Sequence, residues 1–310
     1  MNMLSPPAMV DIVEVAPRDG FQSIREPLPT ADKIRCIQAL IDAGVTRLEI
    51  GSFVSPKAIP QMADTGELVA AFADRAAMRF SALVPNLRGA ELALDYGVRE
   101  LVFVVSVSES HNQGNVRRSV DDSLADLARI VALMQQEGNT YLRLDLGTSF
   151  DCPYESTIDW RQVDSVLARA MAICGDLPME VALCDTTGRA TPYQVAEHFS
   201  RLIDHHGRTG LKWAFHGHDT FGMGVTNALF ALHHGATAID TACAGLGGCP
   251  FAPGATGNTA TEDLLHALDG GKVYSGIDMA RLLLAADAIA ALPGGQTASH
   301  LRQVPRQRAA

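Results

Sequence analysis

A (β/α)8 TIM barrel, an α/β architecture with extra C-terminal helices, is the fold this sequence predicts, and three observations carry it. Short apolar runs of strand length alternate with longer amphipathic stretches, eight times in about 260 residues. No GxGxxG follows the first run, which weakens the runner-up, a doubly wound open sheet binding a dinucleotide. Polar residues of distinctive type also fall at the C-terminal ends of the runs, where a barrel gathers its chemistry.

The first run, DIVEVA (11–16), is rich in Val and Ile and leads into PRDGFQ (17–22), which sets Arg18 and Asp19 at the mouth. A helix follows over 31–43, with Ile34, Ile37, Leu40 and Ile41 on one face and Thr30 as its N-cap. The second run, TRLEIGS (46–52), carries Glu49 inside apolar surroundings and ends at Ser52. MRFSALV (78–84) and ELVFVVS (100–106) are the third and fourth. Over 119–135, Val120, Leu124, Leu127, Val131 and Met134 form a helical stripe; Ser119 caps it, and Asp121 and Asp122 suit the positive end of its dipole. YLRLDLG (141–147) is the fifth run, and MEVALCD (179–185) the sixth, running into CDTTG with Asp185. Thr191 followed by Pro192 starts a helix over 191–204, with Val195, Phe199 and Leu202 on one face. LKWAFHG (211–217) ends in HGHD (216–219). AIDTACAG (238–245) is the eighth run, and the glycine-rich AGLGGCPFAPGATGN (244–258) holds Cys249 and Asn258. With no linker in the chain, residues 1–310 read as one domain: a barrel over about 11–270 and a helical extension over about 272–292, packed outside.

Composition narrows the function. Hydrophobic residues are 47% and charged residues 19%, which excludes general disorder. A net charge of −10 argues against nucleic acid as a partner but leaves room for an anionic substrate in a local basic pocket. No apolar run approaches the ~18–20 residues that span a bilayer, so no membrane partner is expected. Six cysteines without a CxxC spacing fit a reducing compartment, and the N-terminus lacks a signal sequence; a cytoplasmic location is the expectation. Cys36, Cys174 and Cys243 read as core fillers, while Cys152 and Cys184 stay open. His205-His206 and His233-His234 read as solvated pairs at helix ends.

His216 and His218 are the most informative pair. Residues two apart on a strand share a face, so both imidazoles project into the barrel mouth. With Asp and Asn oxygens near them, they suit a divalent cation of the magnesium or manganese kind; zinc is allowed by ligand type, and two hydrogen-bonded barrel histidines are the plainer alternative. Asp19 can equally be a turn residue before Gly20. Glu49 needs a partner or a raised pKa, with Arg18 or Arg47 as candidates for an ion pair. Asp185 can cap the helix that follows it. Cys249, among glycines in a strand-to-helix loop, is a candidate acid or base.

Several of these motifs occur together in one family. PRDGFQ (17–22), LEIGSFVSPKAIPQMAD (48–64), CPYE (152–155), CDTTGRATP (184–192), HGHDTFG (216–222) and AGLGGCPFAPGATGNTATEDL (244–264), in this order, resemble the 3-hydroxy-3-methylglutaryl-CoA lyase family of metal-dependent TIM-barrel lyases. The resemblance implies Asp19, His216, His218 and Asn258 as metal ligands for Mg2+ or Mn2+. It implies Arg18 as the group that neutralises an enolate oxygen, Cys249 as a proton donor, and Glu49 and Asp185 as active-site carboxylates. It implies an acyl-CoA substrate and a homo-oligomer, a dimer or larger. The implied reaction is retro-Claisen cleavage of 3-hydroxy-3-methylglutaryl-CoA to acetoacetate and acetyl-CoA, a step of leucine degradation in many members. A lyase for another branched 3-hydroxyacyl-CoA, a condensing synthase, and a barrel that binds without turnover are the alternatives. The chain departs from the family pattern at LGTSFDCPYE, through Thr148, Phe150 and Asp151, and at Arg189, where a small apolar residue is usual. It also reads HGH for HCH, and Arg25 where lysine is usual.

Overall fold

The structure, a computed structural model, describes residues 7–207, 210–248, 257–295 and 297–305. Eight parallel strands close into a barrel in sequence order. They are β1 (Asp11–Glu14), β2 (Arg47–Ser52), β3 (Arg79–Leu83), β4 (Glu100–Ser106), β5 (Tyr141–Gly147), β6 (Met179–Asp185), β7 (Lys212–Gly217) and β8 (Ala238–Thr241). The eighth is shorter than its apolar run, because the chain turns into a 3-10 segment at Cys243–Gly245. Each strand is followed by a helix that packs outside the barrel: α1 (Thr30–Asp42), α2 (Thr65–Ala71), α3 (Leu87–Asp95), α4 (Val120–Glu137), α5 (Trp160–Cys174), α6 (Pro192–His206), α7 (Gly224–His233) and α8 (Thr261–Gly270), with shorter helical segments at Phe21–Ser23 and Glu109–Val116. This is the TIM barrel that the alternation predicts.

Local signals account for most helix ends. The Ser119 hydroxyl accepts from the backbone N–H of Asp122 at 2.9 Å. Thr191 and Gln194 form a capping box before α6. Thr30, by contrast, is the first residue of α1, and Pro29 occupies the cap position without a side-chain bond. Proline's fixed φ starts the helix here. In the C-terminal extension only Met279–Ala290 is an α-helix; it packs on α1, with Leu282, Ala285, Ala286 and Ile289 buried.

The inside of the barrel departs from the bulky apolar layers usual in this architecture. Strand residues alternate: Leu48, Ile50, Leu142, Leu144 and Leu146 pack with the apolar core, while charged residues reach across the barrel interior. Arg47 on β2 donates to Glu100 on β4 and to Glu180 on β6, at 2.7 and 3.1 Å for the latter, and to Asp11 on β1 at 3.0 Å. Arg79 reaches Asp11 and Glu100 at 3.1 and 2.9 Å. Arg143 on β5 donates to Asp145 at 2.7 Å, Glu180 at 3.3 Å and Asp240 on β8 at 2.7 Å. A buried charge is tolerated only with partners, and the buried guanidiniums of Arg47 and Arg143 have three carboxylates each.

Below the mouth, a second buried carboxylate ties two functional segments together. Glu14 accepts from the backbone N–H groups of Ala16 and Cys243, both at 2.9 Å, and from the Thr261 hydroxyl at 2.7 Å. It thereby joins the start of the Arg18–Asp19 turn to the root of the glycine-rich loop. Burial pushes its carboxyl up to about 7, although the three hydrogen bonds oppose that. The folded state therefore binds a proton that the unfolded chain releases near pH 4.5, and this contribution to stability is lost as pH rises towards 7. Glu14→Gln keeps a neutral group in place. Its unfolding free energy relative to wild type is expected to improve by about 2–3 kcal/mol between pH 5 and pH 8, measured by urea denaturation. An offset that does not change with pH would refute the raised pKa.

Candidate active site

A five-residue π-helical turn, Ala16–Gly20, follows β1 and delivers Arg18 and Asp19 to the mouth. Arg18 is buried and spans two carboxylates: Nη1 donates to Asp19 Oδ1 at 2.6 Å and Nη2 to Glu49 Oε2 at 2.8 Å. Of the two partners open to Glu49, the structure therefore selects Arg18; Arg47 lies in the ion network of the barrel interior. Burial pushes the Glu49 carboxyl up, and Asp145 and Asp240 add to that against the pull of Arg18. Its Oε1 is buried with no hydrogen-bond partner. Burial would also raise Asp19, but Arg18, the two imidazoles and Asn258 outweigh it and hold the carboxyl at about 2.

His216 and His218, on β7 and just beyond it, face each other with Nε2 atoms 3.4 Å apart, and one atom from each of Asp19, His216 and His218 falls within 4.8 Å of the others. Asn258 joins them through a backbone bridge to His218 and by donating from Nδ2 to Asp19 Oδ2 at 2.8 Å. The chain closes tightly there. A Cβ on Gly257 would lie 1.9 Å from the Gly245 carbonyl oxygen, and one on Gly247, at φ +102°, would lie 2.5 Å from Asn258 Nδ2. The structure thus brings Arg18, Asp19, Glu49, His216, His218 and Asn258 into one place. Cys249 lies outside the described residues.

The donor set fits a divalent cation on two grounds. Asn258 Oδ1 is a buried acceptor beside Asp19 with no protein partner. The ion pairs nearest the site also join four carboxylates (Asp19, Glu49, Asp145, Asp240) to only two guanidiniums (Arg18, Arg143). Mixed oxygen and imidazole donors beside surplus negative charge suit a cation of the magnesium or manganese type.

Asp185 ends β6 and is fully buried. Its two oxygens accept from the backbone N–H groups of Arg189 and Ala190, at 3.0 and 3.1 Å, and burial pushes its carboxyl up to about 7. The two segments that carry the departures from the family pattern, 146–155 and 184–192, touch each other. The Thr148 N–H donates to the Thr186 hydroxyl at 2.8 Å, the Thr187 hydroxyl donates to Asp151 at 3.0 Å, and Arg189 Nη1 is 3.9 Å from Asp151. Phe150 is buried and stacks on His198, centroids 5.0 Å apart.

The five cysteines described, Cys36, Cys152, Cys174, Cys184 and Cys243, are all buried. Burial raises the thiols of Cys36, to about 11, and of Cys184 and Cys243. Cys152 donates to the Ser108 hydroxyl at 3.0 Å. The two histidine pairs are not simply solvated: His205 and His206 both bond Asp164 Oδ1 at 2.7 Å, and His234 bonds the Ser200 hydroxyl at 2.8 Å. Their neighbours come from other helices, out of sight of the local pattern. Sequence reasoning also missed Glu14, Arg143, Asp145, Glu180 and Asp240. The available signal was charge alternating with Leu, Ile or Val inside parallel strands, which ordinarily read as unbroken apolar runs.

Comparison with known proteins gives a consistent picture. Residues 9–289 match the family model described as HMGL-like. The chain is 39% identical over 293 residues, 94% of its length and 96% of the relative's, to a 3-hydroxy-3-isohexenylglutaryl-CoA/hydroxy-methylglutaryl-CoA lyase of Pseudomonas aeruginosa. It is 38% identical to the (R)-citramalyl-CoA lyase of Chloroflexus aurantiacus, covering 92% of this chain and 91% of that one. A solved HMG-CoA lyase from Acinetobacter baumannii, in complex with coenzyme A and 3-methylmalate, superposes with a TM-score of 0.88 at 36% identity, covering 97% of each chain. Among the described residues, no helix is long and apolar enough to cross a membrane.

Proposed function

The chain belongs to the HMGL-like family of lyases, and from that premise we propose that it cleaves 3-hydroxy-3-methylglutaryl-CoA to acetoacetate and acetyl-CoA, with Mg2+ or Mn2+ held by Asp19, His216, His218 and Asn258. One observation carries the reading: Arg18 is fixed between Glu49 and the ligand candidate Asp19, so a positive group and a proton acceptor border the same donor set.

When bound, the cation makes the tertiary hydroxyl more acidic and fixes its geometry. Glu49, with one unpartnered oxygen and a raised pKa, takes the hydroxyl proton. The bond between the hydroxyl-bearing carbon and the thioester α-carbon breaks. Its electron pair passes into the thioester as an enolate, and the hydroxyl-bearing carbon becomes the ketone of acetoacetate. Arg18 meets the enolate oxygen as charge develops. Cys249 is assigned by the sequence motif as the donor that protonates the α-carbon and frees acetyl-CoA; the proton on Glu49 then restores the thiol through solvent. Asp185 shapes the 185–190 turn that borders the acyl group.

The experiment is an assay of acetoacetate and acetyl-CoA release with Mg2+ or Mn2+, then with EDTA. Turnover of roughly 1 s−1 or more is expected, lost on chelation and restored by the metal. Activity that persists in EDTA would overturn the metal assignment. A specific observation favours a second substrate reading. The departing positions Thr148, Asp151 and Arg189 lie in two mouth segments that touch, and a citramalyl-CoA lyase is nearly as similar as the HMG-CoA lyase relative. Citramalyl-CoA and longer branched 3-hydroxyacyl-CoA thioesters therefore belong in the same assay. Faster turnover of one of them would transfer the assignment to that substrate.

A further inference from the structure

We infer that Asp240 is a positioning residue for His216, and that Arg143 holds Asp240 in the position that sets which His216 nitrogen is free to bind metal. The inference deepens the metal reading above and rests on it.

Asp240 and His216 are direct register partners on adjacent strands β8 and β7, so their side chains share one face of the barrel. Asp240 Oδ2 lies 3.0 Å from His216 Nδ1, and a carboxylate can only accept there, so Nδ1 carries the proton. In the neutral ring His216 Nε2 is then a bare lone pair, and it is the nitrogen that faces His218 Nε2. The alternative tautomer would aim an N–H at the other ligands and oppose cation binding.

Asp240 is itself constrained. The same Oδ2 accepts from Arg143 Nη2 at 2.7 Å, while Oδ1 has no partner. One oxygen therefore bridges guanidinium and imidazole, and the carboxylate cannot rotate without losing both bonds. Arg143 cannot shift either, because its other nitrogens hold Asp145 at 2.7 Å and Glu180 at 3.3 Å, and Glu180 is bonded to Arg47. All of these side chains are buried. The interior ion network is thus a rigid mount for a ligand at the mouth. A carboxylate that accepts from the far nitrogen of a ligating imidazole fixes the ring and strengthens it as a ligand, and Arg143 at 2.7 Å holds that carboxylate in place.

The first readout uses the metal-free wild-type protein with 15N-labelled histidine. A long-range 1H–15N correlation recorded where the ring is neutral, with His216 assigned by loss of its signals in His216→Asn, is expected to show Nδ1–H and a bare Nε2. An Nε2–H tautomer overturns the inference, whatever the protein's affinity for metal. The second readout is Mn2+ affinity by electron paramagnetic resonance of the free ion. Asp240→Leu leaves no acceptor facing His216 Nδ1, whereas an Asn oxygen could take the bridging position and keep both bonds, so the leucine variant is the one measured. Its Mn2+ Kd is expected to rise roughly 10–100-fold. Arg143→Lys keeps the charge but cannot hold three carboxylates at once, and falls between wild type and Arg143→Met. Far-UV circular dichroism separates these effects from loss of folding. A folded Asp240→Leu with wild-type Mn2+ affinity overturns the inference. If wild type itself binds no Mn2+, the metal reading of the site fails, and the tautomer measurement still decides the Asp240–His216 relation.

Discussion

Arg18→Gln is expected to lower kcat by roughly a thousandfold while Mn2+ affinity holds or rises. The wild-type guanidinium is buried and bonded to Asp19 and Glu49 at 2.6 and 2.8 Å. One guanidinium thus bonds both carboxylates at once. In a buried, preorganised site, losing one donor to a developing oxyanion costs about 10²–10³ in rate, and this donor is also charged. A thousandfold corresponds to about 4 kcal/mol of transition-state stabilisation. Glutamine is neutral and cannot bond both carboxylates as the guanidinium fork does. Removing a cation from beside the donor set leaves it more negative, so metal binding has no electrostatic reason to weaken. The check is steady-state kinetics alongside Mn2+ titration. Turnover within tenfold of wild type would remove Arg18 from the chemistry. Parallel loss of turnover and Mn2+ binding would reduce it to a structural strut for Asp19.

Arg47→Ala is expected to destabilise the fold by about 3–5 kcal/mol, the cost of breaking a buried ion pair by removing one partner. The Arg47 side chain is buried in the barrel and holds Asp11, Glu100 and Glu180 together. Without it, among the described residues Glu180 retains only Arg143 as an ion-pair partner, and Asp11 and Glu100 retain only Arg79. Desolvated carboxylates with fewer partners cost more than the lost bonds themselves, and the truncated stem leaves a cavity. At roughly 2–4 °C per kcal/mol for a chain of this general size, the melting temperature falls by about 10 °C. Urea denaturation and a thermal scan followed by circular dichroism measure it. A loss below about 1 kcal/mol would mean that water enters the interior and solvates the carboxylates. Because Glu180 also bonds Arg143, the same variant is expected to loosen the mount beneath His216.

The two variants probe parts of the molecule that differ in how far sequence could reveal them. Arg18, Asp19, His216, His218 and Asn258 stand in short motifs at strand ends, and the two-residue spacing of the histidines states on its own that they share a face. The capping signals at Ser119 and Thr191 are equally local, and the structure agrees with them. Thr30 misled because a proline one residue earlier starts the helix as well as a hydroxyl cap would. Asp185 offered two readings, and only the turn that wraps its carboxylate reveals how its oxygens are used.

By itself, the sequence determined the count and order of the eight strand-helix units, the motifs gathered at one end, and the residue types able to hold a cation. These depend on neighbours one to four positions apart, where strand and helix periods impose the pattern. The tertiary structure alone decided which buried charges meet: Arg47 with Glu180, Arg143 with Asp240, Asp240 with His216, and Glu14 with the backbone of Cys243. Those partners lie 24 to 229 residues apart and are set by how the strands register as the barrel closes. A strand shows which face a charge occupies; only closure of the barrel brings the opposite charge across its interior.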